Sequence, residues 1–264
     1  MKFAATNTEE LFTQIREHNA KEPSRIMFCT PAYGGVVGAK YMLAMVSTVE
    51  LLTHLGFEHR ISVLSNNSLV PHARNALASA FLHAEEYTHL FFIDADIEWS
   101  PEDVIKLWLA DRDVAAGVYP KKRINWELIE RAAAAGKGPL ADFSGDYVFN
   151  PVPGDTSGQT DEHGMVEVQE AGTGFMLVKR AVFERLKDHA PVYRDSFDNE
   201  TTTDNWEFFP IGPRGGRYQS EDYSFCELWR DTGGKIYLNP FLNLGHVGTY
   251  TYRGSLARLG QEAL

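Results

Sequence analysis

The chain alternates between short, almost uniformly apolar runs and longer stretches where apolar positions return at helical spacing. Arg25 to Thr30, His89 to Ile93 and Val114 to Tyr119 are apolar at nearly every position, which predicts strands buried on both faces of a sheet. Glu58 to Ser65 predicts a further strand, closed by an Asn66-Asn67-Ser68 turn. Between these runs, residues 8–20 repeat through Leu11, Phe12 and Ile15, and Ala39 to Leu55 forms a helix stopped by Gly56. A third helix opens at Pro71 and carries Ala73, Leu77, Ala80 and Phe81. Ser100-Pro101-Glu102-Asp103 begins a fourth, with a hydroxyl at the N-cap, Pro at the first helical position and acids in the first turn. Three successive strand-helix units predict an α/β fold with a largely parallel sheet and right-handed crossovers.

That rhythm fails at residues 136–164, rich in Gly, Pro, Asp and Ser, which read as a loop-rich insertion. Order returns with Met165 to Gln169, with the Ala171 to Val178 run, and with a helix from Arg180 to Lys187. A second irregular stretch, Val192 to Gly216, holds Trp206, Phe208 and Phe209, which suit either a platform for a sugar or anchors for the loop itself. A helix from Ser220 to Asp231, a Gly233-Gly234 stop, a strand at Lys235 to Leu238 and Asn243 to Val247 complete the pattern. The expected organisation is a helical extension over 1–24, one domain over 25–250 with a small antiparallel portion towards its C-terminal part, and a tail over 251–264.

Composition narrows the function classes. With 25 Lys and Arg against 36 Asp and Glu, a net charge of −11 argues against a sequence-independent grip on nucleic acid. Two cysteines, Cys29 and Cys226, make neither a disulfide framework nor a zinc site and read as core residues. No apolar run reaches bilayer length, so a soluble, cytoplasmic protein without a membrane span is expected.

The most telling chemistry is where the apolar run His89-Leu90-Phe91-Phe92-Ile93 ends in Asp94-Ala95-Asp96. Acids at a strand end often serve as turn formers or caps, but Ser100 already has the capping position, which leaves Asp94 and Asp96 for another task. Two carboxylates at a strand tip suit a hard divalent cation, which takes oxygen ligands at roughly 2.0–2.6 Å and shares its other positions with substrate phosphates. Tyr33-Gly34-Gly35-Val36-Val37-Gly38 lacks the spacing of a dinucleotide fingerprint. Arg74 stands near the mouth of the Pro71 helix, where a cation meets anions that a helix N-terminus also attracts, unless it is merely solvated. Lys121-Lys122-Arg123 is a basic cluster in an acidic chain.

Phe-Ile-Asp-Ala-Asp, then Gly117-Val118-Tyr119-Pro120-Lys121-Lys122, Gly172-Thr173-Gly174-Phe175 and Ser220-Glu221-Asp222 follow one another in an order that resembles the GT-A-fold glycosyltransferases. The likeness spans about residues 25 to 250. It is strongest to the small single-domain enzymes of viruses and bacteria, and looser to the large inverting family of processive and non-processive enzymes. The resemblance implies a single Rossmann-like GT-A domain and a metal-dependent transfer from a nucleoside diphosphate sugar. UDP is preferred and GDP is the alternative; the acceptor is a hydroxyl of a carbohydrate or another molecule. It implies Mn²⁺ or Mg²⁺ held by Asp94, Asp96 and His246, although His246 also suits plain packing near Tyr250 and Tyr252. Donor contacts would come from Thr30, Pro31, Ala32, Tyr33, Arg74, Asp94, Ala95, Lys121, Gly172, Thr173 and Gly174, with Tyr33 stacking on the base. The Gly172-Thr173-Gly174 stretch would admit the sugar close to backbone, or else form a simple turn. Asp222 would act as catalytic base, with Glu221 orienting the acceptor or helix end, and Ser220 would cap the helix.

Three rivals have their own signatures. A sugar nucleotidyltransferase should show an early Gly-rich phosphate loop with a basic residue, absent between Thr30 and Tyr41. An aspartyl phosphotransferase would place its acid pair after the first strand with a Thr downstream, whereas here Ile97-Glu98-Trp99 follows. A non-catalytic nucleotide-sugar or carbohydrate module would keep the pocket without turnover.

Overall fold

The computed structural model describes residues 7–154, 158–194 and 203–250. In chain order its elements are α1 (Thr8–Lys21), β1 (Arg25–Ala32), α2 (Ala39–His54), β2 (Glu58–Ser65), α3 (Val70–His83), β3 (His89–Ile93), β4 (Ile97–Glu98), α4 (Pro101–Leu109), β5 (Val114–Gly117) and α5 (Trp126–Ala134). After a 3-10 turn at Leu140–Phe143 come β6 (Phe149–Pro151), β7 (Val166–Ala171), β8 (Phe175–Lys179), α6 (Arg180–Leu186), β9 (Val192–Tyr193), β10 (Asn205–Trp206), β11 (Gly212–Arg214), β12 (Arg217–Gln219), α7 (Glu221–Asp231), β13 (Ile236–Asn239) and β14 (Gly245–His246). The expected 251–264 tail lies outside the described residues.

Eight strands form one sheet in the order β2-β1-β3-β8-β5-β13-β7-β6. Six run in one direction, and β7 and β8 oppose them. The expected mostly parallel sheet is therefore present, but its antiparallel part is not confined to one end. β8 sits in the middle, paired antiparallel with both β3 and β5. Only Gly172-Thr173-Gly174 separates β8 from β7, which runs in the same direction with two strands between, and in β8 Phe175 to Val178 are buried.

The apolar runs are continuous because helices cover both faces. Ile26 and Phe28 of β1, with Phe91 and Ile93 of β3, join α1, α2 and α4 in one core. Met27, Cys29, Leu90 and Phe92 point the other way and meet α3, α6 and α7. Each fully buried Phe contributes on the order of 2 kcal/mol in area terms. α2 ends where Gly56 takes φ +77°, with the Phe57 amide donating to the Leu52 carbonyl, the left-handed closure that its glycine predicts. α4 starts as expected, with the Ser100 amide donating to Asp103 Oδ2 at 3.1 Å.

One open reading is decided and one expectation changes. Phe208 and Phe209 are fully buried in the second core, and Trp206 stacks on Phe208, so these aromatics anchor their loop and form no exposed platform. The buried Asn75 and Ser79 of α3 explain the anchoring, since they accept from the Phe209 and Trp206 amides at 2.8 and 3.0 Å. Ser220 stands at the N-cap position of α7, but its hydroxyl bonds the Asp222 carboxylate instead of capping a backbone amide. Both cysteines lie in the core; burial drives the Cys29 thiol far up and the Cys226 thiol to about 12, so neither ionises at neutral pH.

Candidate active site

β1 and β3 run side by side in the same direction, so their C-terminal ends open together. A cleft of about 440 Å³ forms there, lined by Pro31, Tyr33, Gly34, Val36, Val37, Gly38, Asn67, Val70, Asp94, Ala95, Asp96 and His246. A neighbouring lobe of about 640 Å³ shares His246 and is lined by Pro120, Lys121, Lys122, Arg123, Ile124, Trp126, Ser144, Gly145, Gly248, Thr249 and Tyr250.

Asp94 continues the alternation of β3 towards the side where α3 and α7 pack. There Arg74 Nη2 donates to Asp94 Oδ1 at 2.9 Å, while Arg74 Nε stands 3.5 Å from Glu221 Oε1. Arg74 is only 3% exposed, so the guanidinium is an internal clamp between the β3 tip and the first turn of α7. Burial alone would lower its pKa, but the Asp94 and Glu221 carboxylates outweigh that and raise it. Its Nη1 is buried and makes no hydrogen bond, and neither does the buried Thr173 Oγ1.

Behind Asp94 the chain is tightly fitted. The Asp94 amide donates to the Gly174 carbonyl at 3.0 Å, and the Gly174 amide donates to the Tyr119 hydroxyl at 3.1 Å. A β-carbon on Gly174 would lie 2.7 Å from that hydroxyl and 2.8 Å from Asp94 Oδ2, and one on Gly172 would lie 2.3 Å from the hydroxyl. The room these glycines leave is thus filled by Tyr119. Burial, and then the nearby Asp94 charge, push the Tyr119 phenol well up and keep it protonated.

Asp96 faces the mouth. β14 pairs with β4, which sets His246 opposite Ile97, and the Val247 amide donates to the Asp96 carbonyl at 2.8 Å. His246 Nδ1 lies 2.8 Å from the Pro120 carbonyl, which can only accept, so Nδ1 carries a proton. Nε2 is thereby directed at Asp96 Oδ1, 3.4 Å away. The Lys122 ammonium donates to the other oxygen, Oδ2. Burial opposes ionisation of Asp96, but the hydrogen bonds from His246 and Lys122 prevail and hold its carboxyl at about 2.

No protein-family model matches this sequence, and no curated protein matches it. Among solved structures, A197 from STIV is similar at 19% identity with a TM-score of 0.47, over 85% of this chain and 86% of that one.

Of the residues expected at the site, Pro31, Tyr33, Asp94, Ala95, Asp96 and His246 line the first lobe, where Tyr33 is 70% exposed. Thr30 is buried with its hydroxyl 2.6 Å from that of Tyr41, and Ala32 is buried in β1. Arg74, Thr173, Gly174 and Glu221 form the floor around Asp94, and Gly172 packs on Tyr119. Lys121 lines the second lobe. Asp222 lies on the first turn of α7 and lines neither lobe; its Oδ1 accepts from the Ser220 hydroxyl and from the Tyr223 amide at 2.9 Å. Among the described residues, no group of three or more His, Cys, Asp and Glu side chains is gathered so as to hold a metal. Asp94 is turned to Arg74 and leaves Asp96 and His246 as a pair.

Sequence reasoning missed Tyr119, Lys122 as the partner of Asp96, and Trp126. Two glycines flanking one Thr were the available sign of Tyr119, since such a pair marks close approach by something bulky. Trp126 carried no sign beyond being an aromatic in the first turn of a short polar helix.

Proposed function

We propose that this protein is a glycosyltransferase of the GT-A type, moving one sugar from a nucleoside diphosphate donor, UDP before GDP, to a hydroxyl acceptor with inversion. The observation that carries the reading is the Asp96–His246 pair at the mouth of the β1–β3 cleft. A carboxylate oxygen and an imidazole nitrogen face one another at 3.4 Å, with the ring orientation already fixed by the Pro120 carbonyl. Two groups rich in lone pairs that converge in this way call for a proton or a divalent cation between them.

Mn²⁺ or Mg²⁺ suits this pair in part. Asp96 and His246 would be its protein ligands, the mixed oxygen and nitrogen set favours Mn²⁺, and the remaining positions would fall to phosphate oxygens and water. Bound there, the cation would neutralise charge developing on the departing diphosphate. The chain's own groups do the rest. The cleft at the end of β1 takes the nucleoside, with Tyr33 against the base. Behind Asp94, Arg74 holds that carboxylate from within, and Arg74 Nη1 and Thr173 Oγ1 keep unused hydrogen-bonding capacity in the floor of the site. Asp222 receives the acceptor's hydroxyl proton as the anomeric carbon–oxygen bond to the diphosphate breaks and the new glycosidic bond forms on the opposite face. Both hydrogen bonds to Asp222 fall on Oδ1, which orients the carboxylate and leaves Oδ2 for that proton.

The test is a thermal-shift panel of UDP and GDP with and without Mn²⁺, followed by NMR of the product's anomeric configuration. A nucleotide that binds only the folded state raises the melting temperature. The expected result is a Mn²⁺-dependent UDP shift that disappears in Asp96→Ala, and an inverted product. An undiminished shift in Asp96→Ala would refute the donor site, and full turnover by Asp222→Asn would refute the base.

A further inference from the structure

The two lobes that meet at His246 differ in charge. Among the described residues, the first is lined by Asp94 and Asp96 and by no Lys or Arg; the second by Lys121, Lys122 and Arg123 and by no Asp or Glu. In a chain of net charge −11, three cations without a lining acid are unexpected. Building on the glycosyltransferase reading, we propose that the second lobe holds the acceptor, and that this acceptor carries an anionic group, a carboxylate or a phosphate, beside its sugar ring.

The three cations are not equivalent. Lys122 is bonded to Asp96 at the junction of the lobes. Arg123 is held by Asp146 at 2.5 Å, and Asp146 also accepts from Asn125 Nδ2 at 2.9 Å, so that acid is consumed in shaping the wall. Lys121 is exposed and has no ion-pair partner among the described residues. Its backbone is nonetheless fixed, because its amide donates to the Asp146 carbonyl at 2.7 Å and the Arg123 amide returns to the Lys121 carbonyl at 2.7 Å. Lys121 feels the Asp146 charge at longer range, but with no direct ion pair its ammonium remains the cation of the three that a ligand can engage.

The walls suit a sugar. Trp126 is 57% exposed on the first turn of α5, with Asn125 capping that turn by accepting from the Leu128 amide at 3.0 Å, so the indole offers a flat apolar face at a positioned site. Opposite, Gly248 packs along Lys122 so closely that a β-carbon there would lie 2.9 Å from Lys122 Cδ, and one on Gly145 would lie 2.8 Å from Pro120 Cβ. The lobe is therefore an open groove whose wall is closely packed at Gly248 and Gly145.

Ligand-detected NMR titrations of the full chain with glucose, glucuronate and glucose 6-phosphate test this. At least one charged sugar is expected to bind about tenfold more tightly than glucose, a factor typical of one charge-assisted contact. Which one does so identifies the group as carboxylate or phosphate. Lys121→Gln should abolish the advantage and leave glucose unchanged, and Trp126→Ala should weaken all three. Equal binding of charged and neutral sugars, no binding by either charged sugar, or an advantage that survives Lys121→Gln overturns the proposal. So does displacement by inorganic pyrophosphate, which would return the lobe to the donor's phosphates. A failed nucleotide shift with an intact Lys121-dependent preference would remove the donor reading alone.

Discussion

Asp94 and Asp96 are separated by one residue yet belong to two regions with opposite physics. Asp94 sits on a floor where Arg74, Glu221, Tyr119 and the Gly172–Gly174 turn are packed without slack, and its partner Arg74 is all but inaccessible. Asp96 sits at a mouth where its partners, Lys122 and His246, reach it from loops, and both Lys122 and Asp96 keep more than a third of their side-chain surface in water. A charge pair on the floor is costly to break, because Arg74 keeps only 4% of its side-chain surface exposed and Asp94 26%, so water replaces a lost partner poorly. One at the mouth is cheap to break, because solvent replaces the lost partner. The same dipeptide spacing thus yields one carboxylate committed to the architecture and one left available for chemistry.

The strongest way to break this contrast is Arg74→Ala. It leaves the Asp94 and Glu221 carboxylates facing each other across a space the guanidinium had filled, and should cost about 3 kcal/mol or more in urea unfolding. A cost below about 1 kcal/mol would mean the floor is wetter than its burial implies. Next in size is Gly174→Ala. The added methyl must displace both the Tyr119 ring and an Asp94 oxygen, and overpacking of this sort costs about 1–3 kcal/mol. Pairing it with Tyr119→Phe sharpens the test, since removing the hydroxyl relieves one of three close contacts, with the ring carbon Cζ still at 2.7 Å and Asp94 Oδ2 at 2.8 Å, and should recover only part of the loss as a non-additive term.

The floor and the mouth also differed in how far the sequence foretold them. The strands of both cores were readable because two covered faces force near-continuous apolar runs, as in Phe91-Phe92-Ile93. Asp94 and Asp96 stood out because they interrupt such a run. The central position of β8 was hidden, since a run apolar on both sides looks alike whichever direction it enters a sheet. Arg74 was singled out, but its two acid partners were hidden for a related reason: a cation in a first helical turn carries no mark of whether it faces water or two acids from distant segments. The alliance of Asp96 with His246 and Lys122 depends on loops returning from 120–123 and 245–247, and loop return has no periodicity to read. Phe208 and Phe209 stayed undecided between platform and anchor for the same reason, because their loop is held by Asn75 and Ser79 on a helix far away in sequence.

The smallest effect is expected at the mouth, from Lys122→Gln. Loss of an exposed ion pair should change stability by no more than about 1 kcal/mol at neutral pH. The informative readout is the Asp96 carboxyl itself, followed by NMR titration. Its pKa of about 2 reflects hydrogen bonds from His246 and Lys122 prevailing over burial, so removing one donor should move it up towards the ordinary 3.8. The sign of the linked stability follows: a carboxyl depressed in the folded state stabilises the fold above its unfolded pKa, and that contribution is lost as pH falls through about 2. Lys122→Gln should therefore shift the acid limb of this contribution to higher pH while leaving the plateau above pH 5 nearly unchanged. If the Asp96 titration does not move, His246 alone sets its charge, and Lys122 is a bystander at the junction of the two lobes.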